Sequence, residues 1–195
     1  ASWAGELESY LNVTKDNLLE SVKKCWSSLF TPRAIFYRFE KHPHEKAVSV
    51  AVVVQKMIQS EISGICFTVH PVTEEKGQMV IEAGYGLGEA IVGGEITPDT
   101  YIIHKHTQGK STTILDKNIS RQETMILRNT QGTKEVPVAK EKQEKQKLTD
   151  KQILTLAKIC MDIETHYQYP QDVEWGFQGD NFYILQSRPI TTLKK

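Results

Sequence analysis

One stretch near the C-terminal end, Gln171 to Thr192 (QDVEWGFQGDNFYILQSRPITT), constrains this chain more than any other. Two apolar runs flank Gly179-Asp180-Asn181, and a Gly/Asp/Asn cluster between β-rich runs predicts a hairpin. Side chains alternate faces along a strand, so Asp172, Glu174 and Gly176 share one face and Val173, Trp175 and Phe177 the other. On the return strand Gln186 and Arg188 share a face, opposite Leu185 and Ser187. A charged stripe therefore backs onto an apolar one. Two readings follow. In the first, Glu174 pairs with Arg188 across a half-solvated sheet, contributing no more than about 1 kcal/mol. In the second, the stripe lines a cleft: carboxylate and amide oxygens suit Mg²⁺, and a guanidinium fork suits phosphate oxygens.

At 195 residues the chain can bury a core and fits one domain or slightly more. Its 24 Lys+Arg balance 24 Asp+Glu, which excludes a nucleic-acid-coating or strongly acidic protein and leaves any anionic ligand to a local site. Cys25, Cys66 and Cys160 sit apart in apolar runs with no Cys-x-x-Cys or Cys/His spacing, and read as buried thiols of a reducing compartment. No apolar run approaches the roughly 20 residues of a membrane span, and no signal pattern opens the chain. The expectation is a cytoplasmic protein without membrane or nucleic-acid partners. The chain starts without Met, which reads as a processed end or an excised piece of a longer polypeptide.

Along the chain, Thr14 is expected to cap a helix with Leu18, Val22, Cys25, Trp26 and Leu29 on one stripe. Thr31-Pro32 starts a second, an N-cap followed by Pro at the first helical position. Val-rich runs over 48–58 and 62–69 predict strands, and the unbroken Ala51-Val52-Val53-Val54 predicts a central strand covered on both faces. Gln55 and Lys56 then fall at its end, where polar groups meet ligands or simply surface. A strand over 79–83 runs into Gly84-Tyr85-Gly86-Leu87-Gly88-Glu89-Ala90-Ile91-Val92-Gly93-Gly94. That pattern does not meet the dinucleotide fingerprint, and it leaves open a structural turn or an anion-binding loop, with one helical turn over 87–92. Further strands are expected over 98–103, 112–116, 123–127 and 135–138. The mixed charges of 139–147 (AKEKQEKQK) predict a solvated approach to the clearest helix. Thr149 and Gln152 match a capping box, and Ile153, Leu156, Ala157, Cys160 and Ile163 form its apolar stripe. His42, His44, His70, His104, His106 and His166 are scattered; His104-x-His106 places two rings on one strand face with no third ligand in view.

Five segments together resemble the ATP-grasp nucleotide-binding domain of the phosphoenolpyruvate synthase and pyruvate phosphate dikinase family: SWAGELESYLNV (2–13), SLFTPRAIFYR (28–38), VVVQKMIQSEISGICFTVHPVT (52–73), GYGLGEAIVGGEITPDTYII (84–103) and YPQDVEWGFQGDNFYILQSRPITTL (169–193). The last is the most specific, because Gln186 and Arg188 follow Glu174 by 12 and 14 positions, as in that family. The resemblance implies an α+β, ATP-grasp-like fold with an antiparallel-rich sheet packed with helices and without the N-terminal ATP-grasp subdomain. It divides 1–195, a single partial domain, into a helical lead-in (1–45), a strand-rich part (46–138), a helix (148–167) and a C-terminal hairpin (171–192).

The same resemblance implies ATP and Mg²⁺ as cofactors. Glu174 and Gln186 would bind Mg²⁺ and phosphates, Arg188 the terminal phosphates, and Asp172 would support the site; Glu174 and Arg188 carry the catalytic expectation. Gln55 stands near the adenine, Lys56 and Met57 share its hinge-like strand, and Gly5 lies beside the phosphates. The chain departs from the family at Glu6, where Gln is usual, and at Ser9, where Thr is common. A carboxylate at position 6 beside phosphates is unfavourable without an intervening cation. The implied enzyme is an ATP-dependent phosphotransferase of the pyruvate, water dikinase type that phosphorylates a histidine on a swivelling domain, which then phosphorylates pyruvate. Its further parts, expected as partners within one longer chain, are an N-terminal subdomain, the phosphohistidine domain and a phosphoenolpyruvate/pyruvate-binding domain. The isolated stretch is expected to be inactive. The alternatives are a rifampicin phosphotransferase-like or pyruvate phosphate dikinase enzyme, and a nucleotide-binding module without catalysis.

Overall fold

A computed structural model describes residues 5–41, 48–105, 111–129, 132–191 and 193. The chain divides into two compact units, Ala1–Met57 with Asn129–Thr133, and Ile58–Arg128 with Lys134–Lys195.

In the first unit, helix α1 (Leu18–Ser27) leads through a 3-10 turn at Ser28–Phe30 into α2 (Pro32–Lys41). The expected cap on α2 is present: Thr31 Oγ1 accepts from Ala34 N at 3.3 Å, and Pro32 takes the first helical position. The expected cap on α1 is not. Asn17 is the N-cap residue, and its Oδ1 is engaged backwards by Thr14 N at 2.7 Å, closing a turn before the helix. The apolar stripe of α1 buries none of its own residues, and Cys25 is half-buried rather than enclosed. Residues 48–61 form no strand among the described residues, contrary to expectation, and Ala47 lies outside them. Val53 and Val54 are 82% and 66% exposed. β-branching favours a pleated surface only where a neighbouring strand supplies the ladder, and among the described residues no strand pairs with this run.

The second unit is built on a six-stranded antiparallel sheet in the order β4-β3-β2-β1-β7-β8. Its strands are β1 (Ile62–Phe67), β2 (Gln78–Tyr85), β3 (Asp99–His104), β4 (Thr113–Asn118), β7 (Gln171–Gln178) and β8 (Asn181–Pro189). A separate two-stranded ladder joins β5 (Thr124–Asn129) to β6 (Gly132–Pro137), and α3 (Glu89–Val92) is the single turn expected after β2. The long helix α4 (Asp150–Tyr167) carries the capping box read from the sequence, with Thr149 and Gln152 bonding reciprocally. It lays Ile153, Leu156, Ala157 and Cys160 on one sheet face, against Cys66, Met79, Ile81, Tyr101, Ile103, Val173, Trp175 and Phe177. Gly64 is obligatory on that face, since a Cβ there would lie 2.7 Å from Trp175 Cζ2 and still closer to the Glu82 carbonyl.

The charged approach to α4 is not wholly solvated. Residues Lys140–Lys142 form a 3-10 turn, but Lys147 is drawn inside. Its ammonium bonds Asp99 Oδ1 at 2.7 Å with both side chains 0% exposed, and also donates to the Ser120 carbonyl. Asp99 is satisfied at both oxygens: Oδ1 also accepts from Ser120 N, and Oδ2 from Lys147 N and the Tyr101 hydroxyl. Burial and the bond to Asp99 push the Tyr101 hydroxyl well above its ordinary range. This network ties β3 to the start of α4 and thereby fixes α4 over the core.

Candidate functional site

The hairpin of β7 and β8 turns through Gly179 and Asp180, both at positive φ (54° and 64°), the backbone that a two-residue type I′ loop demands. From Gln178 opposite Asn181 the ladder runs regularly to Trp175 opposite Ile184. There β8 inserts Leu185 as a bulge, and the ladder resumes with Glu174 opposite Gln186 and Asp172 opposite Arg188. Were the pairing regular beyond Ile184, Gln186 would stand opposite Val173 and Arg188 opposite Gln171, on the face that packs under α4. The bulge re-aims them to the face away from α4.

That face carries two cross-strand rows. One places Glu82, Ile65, Glu174 and Gln186 opposite one another across β2, β1, β7 and β8. The next places Val80, Phe67, Asp172 and Arg188 in the same order. The expected pairing of Glu174 with Arg188 is replaced by two neighbouring contacts. Arg188 Nε and Nη2 both lie 2.7 Å from Asp172 Oδ2, and Gln186 Nε2 donates to Glu174 Oε1 at 3.1 Å. Register is the reason: the residue directly opposite is nearer than the diagonal one.

The electrostatics are unbalanced. The Asp172 side chain is 9% exposed, and its Oδ1 has no hydrogen-bond partner. The Arg188 side chain it holds is 44% exposed, and its contacts to the aspartate run through Nε and Nη2. Burial raises the Glu174 carboxyl above its ordinary range; Arg188 works against the rise and Asp172 adds to it. Burial likewise raises Glu82, with Asp172 again contributing. On these two rows, from β2 to β8, three carboxylates thus stand with one arginine. The donor set fits a hard divalent cation: carboxylate oxygens, an amide oxygen and an orphaned buried aspartate oxygen. Among the described residues no three His, Cys, Asp or Glu side chains are close enough to hold a metal by themselves. Mg²⁺ keeps several waters and takes one or two carboxylates together with substrate phosphates, so a site for it does not require three such side chains.

Asp172, Glu174, Gln186 and Arg188 therefore come together as the sequence predicted. Gly5, Gln55, Lys56 and Met57 belong to the other unit. There Gly5 is exposed at φ 75°, Gln55 and Lys56 are exposed, and Met57 is half-buried outside any strand. Sequence reasoning missed Glu82, although a lone carboxylate inside the apolar run Met79-Val80-Ile81-Glu82-Ala83 was a usable signal. The glycine-rich segment 84–94 is committed to structure. Tyr85 N donates to Gln122 Oε1, Gly86 N to the Glu61 carbonyl and Leu87 N to the Ile126 carbonyl, so these amides do not cradle an anion. Gly86 is required there, with φ 89° and the Ile126 oxygen 2.5 Å from where a Cβ would lie. His42, His44 and His106 lie outside the described residues, as does the second ring of the His104-x-His106 idea.

Comparison with known families matches the pyruvate phosphate dikinase AMP/ATP-binding domain over residues 1–195. The chain is 49% identical to a probable phosphoenolpyruvate synthase of Methanocaldococcus jannaschii, with all of this chain and 16% of the relative covered. It is 49% identical to a probable phosphoenolpyruvate synthase of Archaeoglobus fulgidus, covering all of this chain and 25% of the relative. A rifampicin phosphotransferase of Bacillus cereus is 44% identical over 99% of this chain and 22% of its own length. The chain thus spans a quarter or less of these relatives.

Proposed function

Because the chain belongs to the pyruvate phosphate dikinase AMP/ATP-binding domain family, we propose that the open face of β7 and β8 is the phosphate-side wall of an ATP-grasp-type nucleotide site in a phosphoenolpyruvate synthase-type phosphotransferase. The observation that carries this reading is the bulge at Leu185, which puts Asp172, Glu174, Gln186 and Arg188 on one face.

Glu174 and Gln186 would hold Mg²⁺, which when bound neutralises phosphate oxygens. Asp172 clamps Nε and Nη2 of Arg188 and so orients the guanidinium, leaving its Nη1 side for a phosphate oxygen. Positioned this way, Arg188 would stabilise the negative charge that builds on the nucleotide phosphates as the nitrogen of an acceptor histidine elsewhere in the longer polypeptide bonds to phosphorus and the P–O bond to the departing nucleotide breaks, its electron pair leaving on that oxygen. The protein's contribution is positioning and electrostatics, the usual demand of phosphoryl transfer. Phosphohistidine would then pass its phosphoryl group to pyruvate.

Arg188→Ala in the full-length protein tests this. The expected result is loss of phosphohistidine formation with an unchanged circular dichroism spectrum and only a modest fall in melting temperature from the unpaired Asp172; near-normal turnover by the variant rejects the assignment. A second reading, transfer to an antibiotic acceptor, is favoured by the 44% identity to the rifampicin phosphotransferase. Parallel assays with pyruvate and with rifampicin as acceptor separate the two.

A further inference from the structure

The row through Glu174 and Gln186 does not stop at β7. It continues across Ile65 of β1 to Glu82 of β2 on the same face. We propose that Glu82 is a further residue of the cation site, acting through the cation's water shell rather than as a direct ligand. This inference rests on the nucleotide and Mg²⁺ reading of Glu174 and Gln186.

Three observations support it. The first is spacing. Glu82 and Glu174 flank a single intervening strand, so their Cα atoms stand two strand spacings apart, roughly 10 Å. That separation lets two glutamate side chains on the same face reach toward one ion between them, and because Mg²⁺ keeps several of its waters the second carboxylate can be met through one of them. The second is the residue between them. Ile65 stands directly between them and offers neither carboxylate a polar partner. The third is charge. Glu82, Asp172 and Glu174 face one another with Arg188 as the counter-charge on their two rows, and Asp172 Oδ1 is buried without a partner. A hydrated divalent cation would relieve both the repulsion and the orphaned oxygen.

An alternative role for Glu82, bracing the strand, is weakened by the backbone. β2 is already paired on both sides, with β1 and β3. No hydrogen bond of the Glu82 side chain contributes to that pairing.

The test is a Mn²⁺ titration of the full-length protein in the presence of a non-hydrolysable ATP analogue, with free Mn²⁺ read by electron paramagnetic resonance. Outer-shell partners of metal sites typically contribute about 10-fold or more in affinity. Glu82→Gln is expected to weaken Mn²⁺ binding by about that factor, with Glu82→Asp recovering part of the loss because it restores the charge. Wild-type Mn²⁺ affinity in Glu82→Gln overturns the proposal. So does an affinity loss in Glu82→Gln that is accompanied by a fall in melting temperature and is not recovered by Glu82→Asp, because that pattern marks a purely structural role. Glu174→Gln in the same titration keeps the two readings apart. If Glu174→Gln binds Mn²⁺ normally, the nucleotide-site reading itself fails; if Glu174→Gln loses binding while Glu82→Gln keeps it, the role of Glu82 alone is rejected.

Discussion

Two aspartate–cation pairs sit on the same sheet and are built to opposite ends. Asp99 and Lys147 are wholly buried, and each aspartate oxygen receives two donors. Asp172 and Arg188 lie at the open face: one aspartate oxygen receives both guanidinium contacts, the other receives nothing, and the arginine is nearly half exposed. A saturated pair has no capacity left for a ligand and can only hold structure. An unsaturated pair with an exposed fork is a weaker staple and a better receptor. The contrast shows that ion-pair distance, 2.7 Å in both cases, says little about role. What distinguishes them is how many lone pairs and donors remain unused.

The sharpest way to break this contrast is Lys147→Ala. It strands Asp99 as a buried charge, and removing one partner of a buried pair costs roughly 3–5 kcal/mol. Urea unfolding followed by tryptophan emission, to which buried Trp175 contributes, should show a large fall in midpoint; a negligible change would mean that the network does not hold the fold.

Asp172→Asn should behave differently. Its partner is partly exposed and keeps one acceptor, so the stability loss should stay near the 1 kcal/mol of a solvent-screened pair. Its effect should appear instead as weaker Mg-ATP binding by calorimetry in the full-length protein, because Arg188 loses its anchor. Equal destabilisation by the two variants would erase the distinction.

The smallest effect is expected for Glu174→Gln, and its sign is informative. The folded-state pKa of Glu174 is raised above the usual 4.5, chiefly by burial. A carboxyl of that kind binds its proton more tightly folded than unfolded, so its ionised form destabilises the fold. The penalty is absent below the ordinary carboxylate range and fully developed above the raised folded value. Relative to the parent, Glu174→Gln should therefore gain stability as pH rises through that window, while losing cation affinity. A relative loss of stability with rising pH would contradict the assignment of Glu174 as a residue kept for binding at a cost to the fold.

Much of this was legible in the chain itself. The capping box at Thr149 and Gln152, the strand runs after residue 61 and the alternation of β7 are local patterns, and local patterns survive into the fold because they depend on backbone period and nearest neighbours. The run at 51–54 misled for the converse reason. β-propensity reports fitness for a ladder and says nothing about whether a partner strand is present. The run at 139–147 misled because composition averages over its lysines, and one of them, Lys147, meets an aspartate 48 residues away.

The sequence by itself determined which side chains could serve phosphate and cation, and that Asp172 and Glu174 share a face, because strand alternation is fixed by backbone geometry. Only the tertiary structure decided who meets whom. The bulge at Leu185 changes the phase of β8 by one residue, and a one-residue change of phase exchanges the faces of every side chain beyond it. That single insertion turns Gln186 and Arg188 toward Glu174 and Asp172. The pairing of β7 with β1, and of β1 with β2, then brings Glu82 into the same row from more than 90 positions earlier in the chain.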